Sequence, residues 1–347
     1  MPSSPAAKKL LLVFGLVLAV LALVGLVGGG IGSAALGRSP LISQPEIHLP
    51  PQPVFPGYSR DRHLGLAPTY GLDQAQGEKP TEHKTGGTGD APAGVNDEAE
   101  EHHSTPLGAT EFAVTNTMLS AWLASGVLIL LFALGARKRS MIPGRLQSLV
   151  EVLFEGVLSF GSGVLGPEMA RKTFPIVATI FFFVLFNAWL ALLPFYQFLG
   201  FVDGHGEIKA HLLRPAGTDL NMPLALALIS FGFVEYWGFR SHGFGYLKKF
   251  FAFGSLVRKG PMQGLIDIGV GLLELLSELV RIVAFTFRLF GNMTAGEILV
   301  VMITFLLPLV FTNLVYGLEL LVGLIQSVIF AGLTLVFISV ASSHEEH

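Results

Sequence analysis

Apolar residues run through this chain in long stretches, and the polar positions between them mark where each stretch ends. Leu10 to Val27 is the first, preceded by Lys8-Lys9 and followed by the small residues Gly28-Gly29-Gly30 and Ser33-Ala34-Ala35. That layout fits a secretory signal peptide with a small-residue cleavage site, or an N-terminal transmembrane helix that is kept. Phe112 to Ala136 predicts a first core helix, closed by Arg137-Lys138-Arg139. Between Arg145 and Ser159 the pattern changes. Leu146, Leu149, Val150, Leu153, Phe154, Val157 and Leu158 recur every three or four residues opposite Ser148, Glu151 and Glu155, which predicts an amphipathic helix on the membrane interface. Thr173 to Leu193, ending at Pro194, and Leu220 to Phe239 are long enough to span a bilayer.

Past Gly260-Pro261 the periodicity lengthens. Residues 264–307 form one nearly continuous helical pattern, followed by Pro308 and a second run to Ala341. At about 1.5 Å per residue the first would be roughly 66 Å long, about twice the hydrocarbon thickness of a bilayer. It is therefore either broken, with Gly291 as the candidate break, or strongly tilted. The uninterrupted polar stripe along it favours tilt.

Composition sharpens this picture. The chain has 347 residues, 51% of them hydrophobic and only 14% charged, with a mean hydropathy of +0.62, the balance of a polytopic membrane protein. It has no cysteine, which excludes disulfides, thiol catalysis and thiolate metal sites. Residues 37–111 are rich in Pro, Gly, Glu and His and lack periodicity, as expected of a poorly ordered exported segment. Its histidines, His48, His63, His83, His102 and His103, are scattered without ligand spacing, so no metal site is expected. Basic clusters at Arg137-Lys138-Arg139 and at Arg240, Lys248, Lys249, Arg258 and Lys259 assign those loops to the cytoplasm. The expected organisation is a signal or extra helix at 1–36, the exported segment at 37–111, an all-α membrane domain at 112–341 and a cytoplasmic tail at 342–347. About five core helices are expected, plus the interfacial one.

Of the 22 Lys and Arg, only Arg281 and Arg288 lie inside an apolar span. A guanidinium cannot be deprotonated in a protein, and at membrane depth it costs roughly 2.5–3.5 kcal/mol even on the mildest scale. Glu274, Arg281 and Arg288 follow at intervals of seven, with Ser277, Glu278 and Asn292 on the same face; Thr312, Glu319 and Gln326 repeat the device in the last helix. Glu278 can neutralise Arg281 at i+3. Arg288 has no acid three or four residues away, so its charge must be met by a carboxylate elsewhere, in this chain or another. A titratable carboxylate brought beside it would be held ionised and would give up its proton.

The stretch Arg288-Leu-Phe-Gly-Asn-Met-Thr-Ala-Gly-Glu297, with Glu274-Leu-Leu-Ser277 upstream, Gly323-Leu-Ile-Gln326 in the last helix and Thr218-Asp219-Leu-Asn221 before the third span, resembles subunit a of F-type ATP synthases over roughly residues 112–341. That resemblance implies the membrane stator facing a rotating ring of c subunits, held by b-type peripheral stalk subunits in the lipid bilayer of a bacterial inner membrane. It implies two aqueous half-channels separated by an essential arginine, matched by Arg288. Glu297, Glu319 and Gln326 match the family's external path and arginine-supporting positions, with Asn292 and Asp219 nearby, while Glu274 and Ser277 match the cytoplasmic path. Asn187 stands seven residues before Pro194, rather than the six of some members, and is carried as a further path residue. Some members have histidine where Glu319 stands, so the relay would titrate differently here. The resemblance implies no cofactor.

Two other classes fit less well. A self-contained secondary transporter would show inverted repeats with paired broken helices, whereas the polar residues here crowd into the last 75 or so positions. A hydrolase or nucleotide-binding chain would need His-Glu-x-x-His, Gly-x-Ser-x-Gly or a Walker loop, none of which occurs, so neither nucleotide nor nucleic acid is an expected ligand.

Overall fold

The computed structural model describes residues 5–37, 39, 51–56, 113–137, 144–202, 208–246 and 261–342. The exported histidines, Lys138 and Arg139, the cluster from Lys248 to Lys259 and the tail after Ser342 lie outside the described residues. The chain is a helical membrane protein: in hydrocarbon every backbone N–H and C=O must be satisfied within its own segment, and long apolar runs therefore fold as helices. In order these are α1 (Pro5–Gly28), α2 (Gly30–Leu36), α3 (Asn116–Ala136), α4 (Arg145–Leu165), α5 (Pro167–Ala191), the short α6 (Phe195–Phe198), α7 (Asn221–His242), α8 (Pro261–Leu306) and α9 (Val310–Ser342). Five of them, α3, α4, α5, α7 and α9, are individually long and apolar enough to cross a membrane. Two small antiparallel pairs join the loops: β1 (Pro53–Phe55) with β2 (Val114–Thr115), and β3 (Gly200–Val202) with β4 (Ile208–His211).

The 46-residue α8 runs through Gly291 without a break. It turns into α9 at Leu307-Pro308-Leu309, where Leu309 takes a φ of 70°, a left-handed conformation that costs a non-glycine residue about 1 kcal/mol. Against this turn sits the N-terminal helix pair, α1 and α2, bent by 58° at Gly29. Gly25 and Gly29 touch the backbone carbonyls of Pro308 and Leu306, a closeness that no larger residue would permit.

The amphipathic segment departs from expectation in what covers its apolar stripe. Val157 is buried with Leu128 of α3, Phe182 of α5 and Leu335 of α9, and Val150 packs on Gly135 of α3. Part of the stripe is thus spent on protein rather than on an interface, while Leu146 and Leu149 remain exposed. Three apolar clusters hold the bundle. Phe182 is ringed by Phe132 and Phe154 at centroid distances of 5.0 and 5.7 Å. Ile180, Val184, Leu226, Phe285, Leu289 and Phe330 lock α5, α7, α8 and α9 together. Val234, Trp237, Ile338 and Ala341 close the far end of α7 and α9. A Ser230–Thr334 hydroxyl pair at 2.7 Å adds a polar tie between α7 and α9. In the middle cluster Phe285 and Leu289 flank Arg288 and fix the rotation of α8 about its axis.

Truncating Phe182 to alanine should lower the thermal melting temperature of the detergent-purified protein. The cavity alone is expected to cost about 2 kcal/mol, part of the about 3–5 kcal/mol of aqueous cores. Val152→Ala, on the exposed side of α4, should leave the melt unchanged.

Candidate functional site

Where α5, α8 and α9 meet the loop before α7, the bundle encloses a cavity of about 160 Å³, room for several waters. Its polar lining comes from Gln52, Asn116, Tyr196, His211, Arg214, Asn292, Glu297, Tyr316, Glu319 and Gln326. Four of the residues expected from the sequence, Asn292, Glu297, Glu319 and Gln326, therefore share one space.

Glu297 is the best-partnered of them. Arg214 Nη2 donates to its Oε2 at 2.9 Å and Nε to its Oε1 at 3.2 Å, a fork that matches the planar carboxylate. The arginine side chain is only 7% exposed, so its own position is fixed by its surroundings. Its main-chain N–H donates to Ser120 Oγ at 3.0 Å, and Ser120 Oγ donates to the carbonyl of Asn116. Tyr196 also bonds Ser120; burial pushes its hydroxyl up from the ordinary value against that bond, so it stays protonated beside the cavity.

Glu319 lies on α9 against Gly296 of α8, where a Cβ would run into the carboxylate. The glycine lets the two helices approach closely enough for carboxylates from both to line one cavity. No ion pair to Glu319 forms among the described residues. Deeper along α8, Asn292 Nδ2 donates to Gln326 Oε1 at 2.7 Å and bridges the helices. Gln326 Nε2 is left buried without an acceptor.

Arg288 sits one turn before Asn292 on the same face of α8. Its guanidinium carbon lies 5.7 Å from the Phe285 ring, and its Nη1 is buried without an acceptor among the described residues. The contrast with Arg281 is direct: that residue pairs with Glu278 as the spacing predicts and lies 3.7 Å over the Phe337 ring. Among the described residues one intramembrane arginine is neutralised and the other is not.

The remaining candidates lie elsewhere. Asp219 is buried at the start of α7, accepting from Thr117 Oγ1 and from the backbone and side chain of Asn221, each at 3.0 Å, and is not part of the cavity lining. Asn187 is buried too and donates back to the Phe183 carbonyl of its own helix at 2.8 Å, while its neighbours Ala188 and Ala191 line the cavity. Glu274 and Ser277 are on α8, roughly 21 and 16 Å along its axis from Arg288 and away from the cavity. Arg214, His211, Tyr196 and Asn116 were not singled out from the sequence. For Arg214 a signal was available: an arginine between Leu213 and Pro215, immediately before Thr218-Asp219-Leu-Asn221, is an unusual occupant of a short apolar-flanked loop.

Known proteins resemble this chain over most of its membrane domain. Residues 118–339 match the ATP synthase A chain family. The ATP synthase subunit a of Gloeobacter violaceus is 31% identical over 232 residues, 67% of this chain and 85% of that one. The subunit a of Campylobacter curvus is 33% identical over 226 residues, 65% and 89% of the two chains, and that of Nitratidesulfovibrio vulgaris strain DP4 is 35% identical over 226 residues, 64% and 84%. A cavity that joins two carboxylates to the helix of an unneutralised arginine, on a chain that matches over most of its membrane domain, belongs to a member of the ATP synthase A chain family.

Proposed function

We propose that this chain is the proton-conducting stator of an F-type ATP synthase, coupling transmembrane proton flow to rotation of a ring of c subunits. The observation that carries the reading is the unneutralised charge of Arg288. A buried donor without an acceptor costs about 1–3 kcal/mol, more when charged, and a second such donor, Gln326 Nε2, lies on the facing helix. An excess of buried donors calls for an anion from outside the chain, and a carboxylate on a passing rotor helix supplies one. The α8 face at that level suits a close helix: Ala284, Gly291 and Ala295 are small and exposed, and Gly291 has open space around it.

The chemistry follows from charge. A protonated rotor carboxyl that comes to Arg288 is stabilised as the anion, so its O–H bond breaks and the proton passes to water in the adjoining half-channel. Because Arg288 keeps its charge at every accessible pH, it also repels a proton that would cross directly between half-channels. The cavity lined by Glu297 and Glu319 serves as the external half-channel. Its waters carry the proton, Glu319 takes and returns it, and Arg214 orients Glu297 toward the water column. Asn292 and Gln326 orient the arginine end. Asp219 and Asn187 act on the path from behind the wall, by holding α7 and α5. Glu274 and Ser277, toward the N-terminal end of α8, line the cytoplasmic path. The b-type stalk holds the subunit against torque, the exported segment lies on the external side of a bacterial inner membrane, and the C-terminus is cytoplasmic.

Replacing Arg288 by alanine removes an electrostatic group from a water-excluded site, and proton-driven ATP synthesis by the reconstituted complex should fall by about 10²-fold or more. Normal ATP-driven acidification of vesicles by that variant would contradict the mechanism. Glu297→Gln and Glu319→Gln should each slow passive proton conductance through the membrane sector stripped of its catalytic part, with the sector still assembled. Conductance equal to that of the unmodified sector in both would remove these carboxylates from the path.

A further inference from the structure

The family match begins at residue 118, yet the cavity described above is lined in part by a residue far upstream of it, Gln52. The exported segment returns to the membrane domain at this point. β1 lies antiparallel to β2, with Pro53 opposite Thr115 and Phe55 opposite Val114. The pairing is anchored: Val54 is 0% exposed and Gln52 6%. The Gln52 N–H donates to Asn116 Oδ1 at 3.3 Å, and the Asn116 N–H donates to the Gln52 carbonyl at 3.1 Å. The same asparagine donates through Nδ2 to the carbonyl of His211 at 3.3 Å. One buried side chain thus ties three segments together: the exported strand, the start of α3 and the end of β4. Gln52, Asn116 and His211 all line the cavity.

We infer that residues 51–55 form a strap across the external rim of the cavity, so that the exported segment is a built part of the half-channel entrance and sets how readily water and protons enter. The inference rests on the cavity being the external half-channel. A strand with no part in the channel would have no cause to bury Val54 fully or to spend a main-chain donor and acceptor on the first residue of α3. Polar side chains at the rim also match the task. Gln52 and Asn116 offer neutral donors and acceptors that can pass a proton along bound water, and they hold no fixed charge that would bind it.

The chain has no cysteine, so a single introduced thiol is the one label on this chain when its band is read separately. Val301 lines the cavity without belonging to the polar path, and Val301→Cys in the assembled complex can be labelled with a membrane-impermeant trimethylammonium methanethiosulfonate added from the external side. The labelling rate is compared with the strap intact, with Val54→Asp, which unseats the strand, and with the milder Val54→Ala, which keeps the comparison informative if the aspartate variant does not assemble. The strap predicts a rate that rises about tenfold in the unseated variant, because reaching the thiol no longer requires the Gln52–Asn116 main-chain pair to open. Equal and measurable rates in all backgrounds would overturn the strap and leave the half-channel reading intact. Absence of labelling in every background, with the thiol reactive in detergent-denatured protein, would overturn both.

Discussion

Among the described residues nothing neutralises the charge of Arg288, whose Nη1 is buried without an acceptor. Everything around it keeps that condition stable. Phe285 and Leu289, buried on either side of it, hold α8 against α5, α7 and α9, so the guanidinium cannot turn away toward water by rotating its helix. The neighbouring Arg281 shows what the same fold does with an arginine it means to neutralise, pairing it with Glu278 and laying it on Phe337. The energetic penalty on Arg288 is a standing attraction for an anion. An attraction that is satisfied only while a carboxylate passes is well suited to a moving partner, because a permanent partner in the chain would abolish it.

The cavity is the counterpart of that charge. Two helices must come close for Glu297 and Glu319 to share one cavity, and Gly296 makes the approach possible. The walls are then held by bonds between distant parts of the chain: Arg214 to Glu297, Asn292 to Gln326, Thr117 to Asp219. Each of these fixes a polar group that would otherwise be expensive to bury, and of the two carboxylates that line the cavity they leave Glu319 without an ion pair among the described residues. Partnered and unpartnered acids thus line one cavity, as the relay proposed above requires.

Legibility from sequence followed the range of the interaction. The Glu278–Arg281 pair, the seven-residue stripe and the turn at Pro308 are local, so spacing and the apolar background exposed them. Arg288 was legible for the opposite reason, since the absence of a local acid is itself a local fact. Arg214 was counted only as one more basic residue outside the spans, because its partner is 83 residues away and no periodicity connects them. Asp219 reads as a path residue by its motif, but its bond to Thr117, 102 residues distant, has no signal in the spacing. The amphipathic α4 showed its apolar stripe plainly, but sequence could not say that α3, α5 and α9 would cover part of it. The strand at Pro53–Phe55 lies in a Pro- and Gly-rich segment without alternation, and three residues are too few to carry a strand signal.

The central claim is that the partner of Arg288 is a carboxylate on another, moving chain. In this cysteine-free chain, Ala295→Cys places one thiol on the exposed face of α8, two turns from Arg288, and a second cysteine can be placed one turn from the carboxylate of the proposed rotor subunit. Oxidation of the assembled complex should join the two chains by a disulfide and stop ATP-driven proton pumping, with both restored by reduction. A complex that pumps normally yet never forms this cross-link, at any position within a turn of the rotor carboxylate, would contradict the account.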